Sequence, residues 1–111
     1  MRKKRPENSR TETMGHKTRL YWLIDEGDGA PNFAMRLFEV DVGGSTEFHS
    51  HPWEHEVYVI EGKGAVKLEE GEAPFEEGEA IFIAPNEKHQ FLNKGDKPLK
   101  LICVIPLKRP A

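Results

Sequence analysis

Four histidines, His49, His51, His55 and His89, are the residues of this 111-residue chain whose type and spacing most plainly suggest chemistry. Three of them fall within seven residues, on what reads as β-structure. Histidine is the commonest neutral metal ligand, and two histidines two residues apart on a strand point the same way, so His49 and His51 can grip one ion from one side. A lone histidine is more often an ordinary surface or core residue, and it is the density of the cluster that points to a metal. His16 has no partner spacing and is expected to be exposed. With no general base or nucleophile in view, catalysis would have to be metal-centred.

The elements that must position these side chains read as short strands. Apolar or alternating runs follow one another at 19–24, 33–42, 46–51, 56–60, 64–68, 80–83, 89–92 and 99–105. Between them stand Gly27-Asp28-Gly29, Gly43-Gly44, Gly62, Gly71, Gly78, Pro85-Asn86 and Gly95-Asp96, which is turn chemistry at short, repeated spacing. No segment sustains an apolar pattern at helical spacing, so an all-β barrel or sandwich is expected. Residues 1–15 are polar and charged without periodicity and are expected to form a flexible arm, with one folded domain over 16–111.

Composition narrows the function. A chain of this length holds one modest core and therefore one site. Sixteen Lys and Arg against nineteen Asp and Glu give a formal net charge of -3, which offers no reason to expect nucleic acid as a partner. Cys103 is the one cysteine, so a disulfide-stapled fold is excluded and a reducing cytoplasm fits. No apolar run has signal-peptide or membrane-spanning length, and the basic start Arg2-Lys3-Lys4-Arg5 reads as a solvated terminus.

At the histidines the chain resembles the cupins, small jelly-roll barrels. Their first motif runs Gly, five residues, His, one, His, three or four, Glu, six, Gly. Gly43, His49, His51 and Gly62 occupy that frame, with His55 at the acidic position. Glu56 is the alternative, since the motif also allows four residues after the second histidine. Strand parity favours His55: if it points inward with Val57 and Val59, then Glu56, Tyr58 and Ile60 point outward. The second motif runs Gly, five to seven residues, Pro, one, Gly, two, His, three, Asn. Gly78, Pro85, His89 and Asn93 follow its order, with the loop one residue shorter and the middle glycine absent. The stretches Ala30-Pro31-Asn32-Phe33, His49 to Glu56 and Pro85 to His89 are similar to small single-domain members with four histidine ligands, typified by manganese-binding monocupins of thermophilic bacteria.

The resemblance implies a closed cupin jelly roll (a double-stranded β-helix), one divalent metal per chain held by His49, His51, His55 and His89, and a homodimer formed through sheet edges. Manganese is the first expectation for the ion, with Fe, Zn, Ni and Cu also suited to imidazole. The leading functional expectation is a metal-dependent oxidoreductase of dioxygenase type acting on a small organic substrate. A metal-assisted isomerase or lyase, a non-catalytic binding module and a closed structural Zn site are the alternatives. Phe91 and Cys103 have inward parity and are candidate pocket residues, although each is more commonly plain core. Arg36, a charge inside an apolar strand, either binds a substrate carboxylate or enolate or lies on the outer face paired with a glutamate. Trp53 is expected to pack over the loop or at a dimer contact.

Overall fold

The computed structural model describes residues 1–108. They form nine strands: β1 (Arg10–Met14), β2 (His16–Ile24), β3 (Phe33–Ser45), β4 (His55–Glu61), β5 (Lys63–Leu68), β6 (Gly71–Glu76), β7 (Ala80–Ile83), β8 (Gln90–Asn93) and β9 (Leu99–Pro106). Every ladder is antiparallel. The sheet runs β6-β5-β8-β3-β9-β4-β7, with β2 on β3 and β1 on β2, and it curls into a jelly roll. The all-β expectation holds. No helix among the described residues is long and apolar enough to cross a membrane.

Alternation builds the barrel. In β4, His55, Val57 and Val59 are buried while Glu56, Tyr58 and Ile60 are exposed, and in β9 Leu99, Leu101, Cys103 and Ile105 are buried. Burying leucines as completely as Leu99 and Leu101 stabilises the fold by roughly 2 kcal/mol each. The long β3 links the two sides of the roll. It pairs with β9 as far as Val40, passes Gly43 in a left-handed conformation (φ 79°), and reaches β8 through Ser45 and Leu92. Gly62, at φ 93°, turns β4 into β5 where an added Cβ would stand 3.1 Å from the Leu99 Cα.

Three segments differ from the sequence expectation. Residues 1–15, expected as a flexible arm, include a 3-10 turn at Pro6–Asn8 and the strand β1, which pairs with β2 over five residues. Polar side chains hold it there: Trp22 Nε1 donates to Glu12 at 3.1 Å, the Arg10 guanidinium lies over the Trp22 ring, and Lys4 meets Asp28 at 3.0 Å. The run 46–51, expected as a strand, makes only an isolated bridge between His49 and His89. β6 was not anticipated, because Pro74 and two glutamates, Glu72 and Glu76, hide its alternation; it lies at a sheet edge and buries only Phe75.

Candidate metal centre

Two kinds of backbone carry the histidines. His55 opens β4 opposite Ile83 of β7, and His89 immediately precedes β8. His49 and His51 lie on the irregular segment before β4, which is secured by the second motif. The His49 N–H donates to the His89 carbonyl at 3.1 Å, the His89 N–H donates back at 2.9 Å, and the Asn86 N–H donates to the His51 carbonyl at 2.7 Å. Thr46 extends the attachment: its hydroxyl accepts from the Phe91 N–H at 2.8 Å, and its own N–H donates to the Phe91 carbonyl at 3.0 Å. Asn86 has φ 67°, so it makes a left-handed turn in the loop where the motif's glycine is missing, a conformation asparagine tolerates better than most residues. Asn93 is structural. Its side chain donates to the Val40 and Lys97 carbonyls, both at 2.9 Å, and accepts from the Gly95 N–H at 2.8 Å.

One nitrogen from each of His49, His51 and His89 falls within 4.8 Å of the others, a group able to hold a metal ion. Hydrogen bonds prepare two of these rings for ligation. His89 Nδ1 donates to the Glu87 carbonyl at 2.7 Å and His51 Nδ1 to the Trp53 carbonyl at 3.3 Å, which leaves Nε2 of each with its lone pair free. The group expected from sequence had four members, and His55 stands beside the three. Its Nε2 is 2.7 Å from His51 Nε2, and its ring centroid is 5.1 Å from that of His89. At that separation either a proton is shared between the two nitrogens or both lone pairs face one positive charge.

Burial favours the neutral form, the form that binds metal, in His51, His55 and His89. It lowers the pKa of His51 to about 4, against a weaker opposing effect of the Trp53 carbonyl. His55 is lowered further, by burial first and then by the Arg36 guanidinium, and His89 is also lowered, chiefly by burial. Neutral nitrogen donors, two of them held in a ligating tautomer, fit a divalent ion of the imidazole-binding group.

The rings open onto a cavity of about 170 Å³ whose other walls are Met14, Arg36, Phe38, Thr46, Trp53 and Phe91. Phe91 is where its parity placed it, and its ring meets that of His89 edge-on. Trp53 stacks flat on His51 with ring centroids 4.4 Å apart, so it is a wall of the site as well as a cover for the loop. Met14 was missed: it comes from β1, inside the stretch expected to be a flexible arm, and the alternation of Thr11 and Thr13 with Glu12 and Met14 was its only signal. Glu56 is exposed on the outer face and takes no part.

The outer-face alternative for Arg36 is not what the structure shows. Arg36 is only 8 % exposed and points inward, because Trp22, Arg36, Cys103, Val57 and Ile81 form one cross-strand row over β2, β3, β9, β4 and β7. Its Nη2 donates to Cys103 Sγ at 3.1 Å and stands 3.5 Å from His55 Nδ1, which is itself 3.0 Å from that sulfur. Cys103 thus lies behind His55 rather than on the cavity wall, and burial raises its thiol pKa.

Residues 36–105 match the cupin domain family. The chain belongs to the cupin family. This cupin superposes on the crystal structure of the polyketide cyclase RemF from Streptomyces resistomycificus with a TM-score of 0.88 and 35% identity, covering all of this chain and 82% of that one. It is 34% identical over 94 residues to a glucose-6-phosphate isomerase of Thermococcus litoralis, a match over 74% of this chain and 50% of the relative. It is 29% identical over 84 residues to the tetracenomycin polyketide synthase protein TcmJ of Streptomyces glaucescens, over 75% of this chain and 56% of the relative. The chain spans about half the length of these sequence relatives.

Proposed function

We propose that this cupin is a metal-dependent enzyme whose ion, held by His49, His51 and His89 with His55 as a fourth ligand, acts on an enolisable carbonyl compound in a cyclisation or isomerisation. The observation that carries this reading is the convergence of three imidazole nitrogens within 4.8 Å at the wall of a small cavity. Names of the relatives support the reaction class, since a polyketide cyclase and a sugar-phosphate isomerase both work next to carbonyl groups. A bound divalent ion supplies Lewis acidity to a carbonyl or enolate oxygen.

The chain's own residues do the rest. His89 and His51 present Nε2 because backbone carbonyls hold their Nδ1 protons. Trp53, Phe91, Phe38 and Met14 give the cavity apolar walls that exclude water and orient a planar ligand. Dioxygenase chemistry is the second reading, favoured by the donor set: no carboxylate lines the cavity, and neutral imidazoles accept Mn, Fe or Cu as readily as Zn. The homodimer and a cytoplasmic setting remain part of the proposal. The exposed side chains of Phe33, Met35, Tyr58 and Phe82 support the outer sheet face as the surface for a second copy, and light scattering of the wild type and Phe82→Lys tests it.

The deciding experiment measures metal in protein purified without a chelating tag, then turnover of β-dicarbonyl substrates with Zn or Mn, in air and without oxygen. About one ion per chain and turnover with Zn under argon support the Lewis-acid reading. Turnover that needs both oxygen and a redox metal replaces it with the dioxygenase reading. Protein that binds no metal overturns both.

A further inference from the structure

Among the described residues that line the cavity, which include the four histidines, Arg36 is the one permanently charged side chain. It is more than nine-tenths buried, and its Nε has no hydrogen-bond partner. No carboxylate among the described residues lies within ion-pairing distance of it; the eight ion pairs all involve other cations. What it does touch is a thiol, an imidazole and two aromatic rings, with its guanidinium carbon 5.3 Å from the Trp22 centroid and 5.1 Å from that of Phe38. These contacts orient the group without neutralising it. A guanidinium stays protonated however it is buried, so the charge must be met from elsewhere. A divalent ion on the nearby histidines would add to the excess, and none of the cavity walls is acidic.

We propose that the missing counter-charge is the ligand itself: the cavity takes an organic oxyanion, a carboxylate or the enolate of a β-dicarbonyl, and Arg36 receives it. The inference rests on the metal-dependent reading above and adds the charge of the substrate to it. Geometry favours this over a purely structural arginine. A structural arginine in a β-barrel interior is normally paired, because breaking or omitting the partner leaves a costly buried charge. Here Arg36 lines the cavity, and its cross-strand partners Trp22 and Cys103 hold it in place.

The test is calorimetric titration of the full chain with benzoate and with its neutral counterpart benzamide, both as purified and after chelator treatment. Benzoate is expected to bind in both states and benzamide at least about tenfold more weakly, with Arg36→Gln losing about tenfold or more of the benzoate affinity. Melting temperature supplies a readout that a structural role would move the other way: Arg36→Gln, by removing an unpaired buried charge, is expected to melt no lower than wild type. Should that variant not fold, a crystal structure of wild type with benzoate decides, with a carboxylate oxygen expected about 3 Å from the guanidinium. Equal binding of benzoate and benzamide, benzoate binding unchanged by Arg36→Gln, or a carboxylate seated away from Arg36 would each overturn the inference. Protein that holds no metal as purified, yet still prefers benzoate through Arg36, would sink the metal reading and leave this one standing.

Discussion

His55 and the pair His49 and His51 reach the same site on very different supports. His55 belongs to β4, which is laddered to β7 on one side and β9 on the other. His49 and His51 sit on a segment whose only ladder contact is the bridge to His89. One side of the site is therefore fixed by the barrel, and the other is tied on by bonds to the 84–89 loop. The contrast teaches that the two motifs are not independent: the second motif supplies His89 to the candidate metal group and also anchors the backbone of the first.

The largest test of that dependence is His89→Ala. Loss of its imidazole is expected to lower metal affinity by more than about 100-fold, read by elemental mass spectrometry after dialysis. His55→Ala comes next, with a drop of about tenfold to 100-fold, while Glu56→Gln holds metal as wild type does. The opposite ranking of that pair would remove the parity argument for β4. Acid offers a graded break. Because the folded state holds His51 and His89 below the ordinary imidazole value, the unfolded chain takes up protons first as pH falls. Stability and metal content should thus be intact above about 6.5 and decline toward about pH 4, monitored by melting temperature and metal release.

Effects on the anchor alone should be smaller. Asn93→Ala strands the Val40 and Lys97 carbonyls and the Gly95 N–H, and is expected to cost about 2 kcal/mol in denaturant unfolding. Asn86→Ala forces a Cβ-bearing residue without a compensating side chain into the left-handed region, for about 1 kcal/mol, whereas Asn86→Gly should be close to neutral.

Much of the site could be read from the sequence because strand parity transmits directly to burial. His55 with Val57 and Val59, and Cys103 with Leu101 and Ile105, face inward as alternation demands. Parity failed where both faces of a strand are apolar. In Phe33-Ala34-Met35-Arg36-Leu37-Phe38 neither face looks like solvent, so the direction of Arg36 was open until β9 fixed the register through Cys103. It also failed where backbone partners lie far away in sequence: the extended run 46–51 looks like a strand locally but has a ladder neighbour at one residue only. β1 was hidden for a third reason, since its pairing depends on polar contacts of Arg10 and Glu12 with Trp22 that carry no apolar period.

The bridge between His49 and His89 ties the assembly of the histidine group to the order in which the chain folds. These two residues are forty positions apart, and strand β4, the hairpin β5-β6 and strand β7 lie between them. Contacts of such long range form late in folding, after the loop entropy between them has been overcome. A growing chain with only its first motif made holds His49, His51 and His55 on an untethered loop, and the ligand geometry arises once β8 has docked. An ion bound there would stabilise the closed barrel and not its precursors, so metal would act on this protein as a late lock rather than as a folding nucleus.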